Sequence, residues 1–119
     1  MIAILIILTI LIILDAVGDG LRANGKQLAH HIMEAVQVAL WMLFAYMTRI
    51  ELYYFIWMLI FYTSLRALIF DMIFNITAGN KLFYFGNSSL WDRFMRRNAS
   101  IVYWISLVVM IGSIWRLFN

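Results

Sequence analysis

The sequence predicts an all-α integral membrane protein with four transmembrane helices and an amphipathic start to the fourth. Of the 119 residues, 66% are hydrophobic and 13% are charged, whereas soluble domains are about 45–50% apolar and about 25% charged. A chain this short buries only about 60–70% of its unfolded surface, so its own interior is too small for this much apolar area. The apolar runs also lack the period-two alternation of a lipid-facing β-barrel.

The four apolar runs define the predicted helices, at Met1–Leu14, Ile32–Thr48, Leu52–Phe70 and Ala99–Trp115. Each run is at or below the roughly 20 residues that cross a ~30 Å hydrocarbon layer as a helix. The polar residues that flank the runs are therefore expected close to the membrane boundary. Because the chain contains no proline, no helix is interrupted by a proline ring. We expect residues 1–119 to form a single transmembrane helical domain.

The connections between the runs are short or loop-like. Thr48-Arg49-Ile50-Glu51 predicts a tight helical hairpin, and the third connection extends from about Ile76 to Asn98. Within it, Ser89-Leu90-Trp91-Asp92 resembles a capping box with aspartate in place of glutamate. The fourth helix is therefore expected to begin near Leu90. Its first turns mix aromatic and arginine residues, which is typical of a helix that lies at a membrane surface.

The distribution of lysine and arginine predicts the orientation. Two basic residues, Arg49 and Arg116, lie on one side of the predicted membrane. The other side carries six, which are Arg22, Lys26, Lys81, Arg93, Arg96 and Arg97. Because basic loops stay in the cytoplasm, the side with six is expected to be cytoplasmic, with both termini on the opposite side. The expected location is a bacterial inner membrane or a phage-associated membrane.

The charge and cysteine content narrow the classes of partner and chemistry. The net charge is +3, and basic loops that set membrane orientation account for it without a nucleic-acid partner. The absence of cysteine excludes disulfides, thiolate metal sites and thiol nucleophiles. The expected partners are the lipid bilayer and either other membrane subunits or further copies of the chain.

Polar residues are placed on one face of each of the first three helices. In the first helix they are spaced i, i+4, i+7, and in the third i, i+7, i+11, which places them on one side of a helix. Under the predicted topology all three polar faces lie toward the cytoplasmic leaflet. We expect them to converge on one polar cluster, composed of Asp15, Asp19, Arg22, His30, His31, Glu34, Ser64, Asp71 and Asn75.

Ionised side chains in hydrocarbon are unfavourable by roughly 2.5–3.5 kcal/mol and normally pair inside a bundle, so a cluster of them needs an explanation. Three interpretations of this cluster are open. In the first, the polar residues only lock short helices in register and nothing binds. In the second, a divalent transition metal is held by Asp15, Asp19, His31 and Glu34, and a metal-activated water hydrolyses a lipid or phosphate ester. In the third, the cluster conducts protons or ions.

These interpretations correspond to three functional hypotheses. The first is a small non-enzymatic integral membrane component, either a subunit of a membrane complex or a phage-related membrane protein, which requires no cofactor. The alternative is a metal-dependent membrane enzyme with an Asp/His/Glu site near the cytoplasmic leaflet. The third is a holin-like or channel-like oligomer. The sequence alone leaves open whether the chain is an enzyme.

Two segments carry a resemblance to a known group of proteins. The segment from Arg66-Ala67-Leu68-Ile69-Phe70-Asp71 through Asn75, and then Phe83 through Arg93, resembles small polytopic membrane proteins of Bacteroidota and their phages. The early aspartate and the His-x-x-Glu at the start of the second helix are similar as well. The resemblance covers about half of the chain, and it implies a setting, a bacterial or phage-encoded membrane polypeptide, without an activity.

Overall fold

The chain folds into four α-helices. The computed structural model describes residues 1–47, 51–86 and 90–119. The helices are α1 (Ile2–Ala23), α2 (Gln27–Met47), α3 (Leu52–Thr77) and α4 (Leu90–Phe118). The predicted hairpin at Thr48-Arg49-Ile50 and the predicted cap at Ser89 lie outside the described residues.

Three of the helices, α1, α3 and α4, are long and apolar enough to cross a membrane. The predicted all-α class and the multi-pass membrane character are therefore confirmed at this level. The helix that does not reach the same hydropathy is α2, because its first half carries two histidines, a glutamate and two glutamines.

α1 and α3 extend well past their apolar runs, and each ends at a glycine-containing turn. In α1 the turn is closed by hydrogen bonds from the N–H of Gly25 to the carbonyl of Arg22 and from Lys26 to Leu21. Gly25 has φ +74° and Gly79, which follows α3, has φ +77°. This is the Schellman arrangement, in which a left-handed residue stops the helix and satisfies its last carbonyls. The aspartates near the ends of the apolar runs are consequently helical.

The two central helices of the fold are α1 and α3. Within the described part of the chain, α2 packs against α1, α1 against α3, and α3 against α4. The order across the molecule is therefore α2–α1–α3–α4, and the overall dimensions of 40 × 35 × 20 Å reflect this flat arrangement. The buried apolar core lies toward the end of the molecule that holds the N-terminus, and it consists of Ile7, Leu8, Leu11, Phe44, Met58, Phe61 and Leu117.

Two glycines, Gly18 and Gly20, allow α1 to approach α2 and α3 closely at the end of the molecule away from the N-terminus. A Cβ added at Gly18 would lie 3.4 Å from Cβ of Met33 in α2, which is ordinary van der Waals contact. A Cβ added at Gly20 would lie 2.5 Å from Cβ of Thr77 and 3.0 Å from the backbone oxygen of Phe74, both in α3. Close backbone approach at small residues is the usual basis of helix packing in membranes. Gly20 therefore fixes the distance between α1 and α3.

We predict that Gly20→Ala destabilises the fold. The new methyl group overlaps the backbone of α3 as well as a side chain, so the helices must separate, and overpacking of this kind costs about 1–3 kcal/mol. The measurement is the free energy of unfolding in detergent micelles. Gly112→Ala is the matched control, because its added Cβ meets nothing within 4 Å. Equal stability of the two variants would contradict the proposed close contact.

Candidate functional site

The structure distributes six of the nine polar residues singled out from the sequence among three places. His30, His31 and Glu34 lie together at the α1–α2 contact. Asp15 lies at the α1–α3 contact. Asp71 and Asn75 face the segment that leads into α4. Ser64 is buried within α3, Asp19 is half-buried and Arg22 is exposed.

An ion pair joins α1 to α3. The guanidinium of Arg66 donates a hydrogen bond to the carboxylate of Asp15, and both side chains are partly buried. The same guanidinium lies over the ring of Phe70, with its carbon 4.0 Å from the ring centroid, which is within cation–π distance. Arg66 is thus held by a carboxylate from one helix and an aromatic ring from its own.

The sequence-based interpretation did not pair these two residues. It placed Asp15 in the polar cluster and among the metal ligands, and it did not include Arg66 in the cluster. The structure pairs them with each other across the helix contact. The signal that could have indicated this is the opposite charge of the two residues, because Arg66 lies inside an apolar run and Asp15 directly follows one, where an unpaired charge is costly.

The histidine and glutamate group occupies the first two turns of α2. His30 is nearly buried, with 9% of its side chain exposed, while His31 and Glu34 are 64% and 53% exposed. Nδ1 of His30 lies 2.9 Å from the backbone oxygen of Gly18 in α1. Glu34 contacts both rings, with Oε1 3.2 Å from Nε2 of His30 and Oε2 2.9 Å from Nδ1 of His31.

The immediate surroundings of this group contain one further charge. Arg22, near the end of α1, is close enough for its positive charge to act on the carboxylate of Glu34. Among the described residues, the group of metal-capable side chains within reach of one another is His30, His31 and Glu34. Asp15 and Asp19, which the sequence placed in the metal hypothesis, are not part of that group, and Asp15 is engaged with Arg66.

Asn75 tethers the segment after α3 to the helix itself. The side chain is 1% exposed, and its amide donates hydrogen bonds to the carbonyls of Leu82 at 3.1 Å and Tyr84 at 2.8 Å. A second tether joins the α1–α2 turn to the end of α3, where Nδ2 of Asn24 donates to the carbonyl of Thr77 at 2.6 Å. These side-chain amides thereby satisfy two backbone carbonyls outside the helices and one at the end of α3.

Asp71 lies between two clefts at the α3–α4 contact. One cleft of about 340 Å³ is lined by Arg66, Phe70, Asp71 and Trp91 among others, and the indole of Trp91 is hydrogen-bonded to Asp71. The other, of about 610 Å³, contains Asp71 and Asp92 together with Asn75, Asn80 and Tyr84. This carboxylate pair is separate from the histidine group, since each group sits on a different side of the central helices.

No family model, no curated protein and no solved structure matches the chain. The function is therefore inferred from the chain's own residues and their geometry.

We predict that Asp15→Asn destabilises the protein more than Asp19→Asn. Asp15→Asn leaves the guanidinium of Arg66 without its carboxylate between two apolar helices, at a cost of about 2–3 kcal/mol. No hydrogen bond or ion pair to Asp19 is present among the described residues, so its neutralisation is expected to be close to neutral. The free energy of unfolding in micelles measures both.

A double variant separates the ion pair from a local packing effect. Adding Arg66→Met to Asp15→Asn removes the unpaired charge, so the double variant is expected to recover at least half of the lost stability. If Asp15→Asn and Arg66→Met act additively, the two residues are not coupled and the pairing is contradicted.

Proposed function

We propose that the chain is a small non-enzymatic integral membrane component with four spans, acting as a subunit of a bacterial or phage-related membrane complex. The observation that supports this most is that polar side chains connect separate segments of the fold. The Asp15–Arg66 pair, the Asn24–Thr77 bond and the two bonds of Asn75 each join one segment of the fold to another. Side chains engaged in this way stabilise the bundle and are not free to act on a substrate.

The packing of α2 supports its assignment as the fourth span. At one end of α2, His30 contacts Gly18 of α1. At the other end, Phe44 belongs to the apolar core together with Ile7 and Leu8 of α1. α2 therefore runs antiparallel to α1 along most of its length, and its 21 residues extend about 31 Å at 1.5 Å per residue. A helix that follows a membrane-spanning neighbour over this distance lies at the same depth.

The orientation follows from the position of the basic residues. The turn after α1 and the turn after α3 are at the same end of the molecule, since Asn24 is hydrogen-bonded to Thr77. Lys26 and Lys81 lie beside these two turns, and the first turns of α4 add Arg93, Arg96 and Arg97. The excess of basic residues at this end favours a cytoplasmic location for it, with both termini on the other side. The exposed aromatic and arginine residues at the start of α4 suit the membrane surface.

The four-span topology predicts which positions a membrane-impermeant thiol reagent reaches. The chain has no cysteine, so single cysteines can be placed at the exposed residues Lys26, Glu51, Asn80 and Asn119. In spheroplasts, cysteines at positions 51 and 119 are expected to react directly, and those at positions 26 and 80 only after permeabilisation. Labelling of positions 26 and 51 from the same side would show that α2 does not span.

The subunit role predicts a defined assembly. The tagged chain, extracted in mild detergent from its native membranes, is expected to appear in native mass spectrometry as a complex of fixed stoichiometry above the 14.0 kDa mass of one chain. Asp15→Asn is expected to reduce the yield of that complex, because it weakens the contact between the central helices. A strictly monomeric chain with no stoichiometric partner would contradict the role.

A further inference from the structure

His30 has an acceptor on each side of its ring. The oxygen of Gly18 is a carbonyl and can only accept, so Nδ1 of His30 carries the hydrogen and donates across the α1–α2 contact. In a neutral ring Nε2 then has a lone pair and no hydrogen. Nε2 nevertheless faces a carboxylate oxygen of Glu34 at 3.2 Å. Two lone pairs at this distance repel unless a positive species, a proton or a metal ion, lies between them.

The rest of the group supplies the further ligand atoms that a metal ion requires. The second oxygen of Glu34 is 2.9 Å from Nδ1 of His31, and one ligand atom from each of the three residues lies within 4.8 Å of the others. A tetrahedral zinc site with bonds of about 2.0–2.2 Å places its ligand atoms roughly 3.3–3.6 Å apart. His31 and Glu34 are exposed, so their side chains have room to rotate toward that spacing.

The bond from His30 to Gly18 supplies the expected outer support. A metal-bound histidine almost always donates its other ring N–H to a carbonyl or carboxylate, which fixes the tautomer and the ring orientation. His30 already has this arrangement, and its ring is nearly buried against α1. His30, the most buried of the three ligands, is therefore held in place before any ion binds.

We infer that Nε2 of His30, Nδ1 of His31 and the carboxylate of Glu34 form a site for a divalent transition metal ion, with water completing the coordination. Imidazole and carboxylate ligands suit zinc and its neighbours in the first transition series. The site goes beyond the proposed role as a membrane component, and it would join the start of α2 to α1 through Gly18. An ion that binds only the folded chain raises its stability.

The test is cobalt binding by the chelator-treated full-length protein in detergent micelles. Co²⁺ in a nitrogen and oxygen site gives visible absorption bands, and zinc displaces it. One Co²⁺ per chain is expected, with bands abolished by zinc. His31→Ala and Glu34→Gln are each expected to weaken Co²⁺ binding about ten-fold or more, the scale by which even outer-shell changes weaken metal sites. These two variants leave the His30–Gly18 contact intact, so they are expected to fold.

Glu51→Gln is the matched control, since it removes an exposed carboxylate at the other end of the molecule and is expected to leave Co²⁺ affinity unchanged. Thermal unfolding with and without zinc provides a second measurement. A rise in the unfolding temperature is expected for the wild type and for Glu51→Gln, and none for Glu34→Gln. Absence of Co²⁺ bands in the wild type, or equal binding by Glu34→Gln, would overturn the site and assign the positive species beside His30 to a proton.

Discussion

The structure depends on the requirement that a charge inside a lipid bilayer have a partner within the protein. Arg66 lies near the middle of α3, where an unpaired charge would face hydrocarbon. Asp15 of α1 supplies the partner, and this pairing sets both the rotation and the level of α1 against α3. Because α2 packs on α1 and α4 packs on α3, the positions of the outer helices follow from that central contact.

The two ends of the bundle are held together by different forces. Toward the N-terminal end of α1, Leu8, Leu11, Met58 and Phe61 form an apolar core without a polar partner in the group. Apolar packing in lipid has no hydrophobic driving force and relies on close van der Waals fit. Toward the other end, Gly20 brings the backbones together and side-chain amides connect the turns. The polar end carries the directional contacts, so it defines the register of the helices.

The sequence was sufficient to predict the fold class but not the sites. Long apolar runs predicted helices of membrane type, and the part of the chain that the structure describes contains three such helices. The helix ends differed, because the Schellman turns at Gly25 and Gly79 stop α1 and α3 later than the apolar runs do. The sequence pattern shows which residues share a face of each helix. It does not give the helix order α2–α1–α3–α4, which determines the partners of those residues. Since α1 lies between two helices, its contacts divide between them, with the backbone carbonyl of Gly18 meeting α2 and the side chain of Asp15 meeting α3.

This division also shows why a structural and a metal-binding role are compatible in one short chain. The sequence-based metal hypothesis combined Asp15 and Asp19 with His31 and Glu34, so the structural and metal-binding roles would have competed for the carboxylate of Asp15. In the structure Asp15 pairs with Arg66. The residue beside Glu34 is His30, whose ring donates a hydrogen bond to the backbone carbonyl of Gly18. The bundle is therefore held by one set of polar residues, and the proposed metal site uses a second set at the edge of α2, so that an ion bound there would not loosen the central helices.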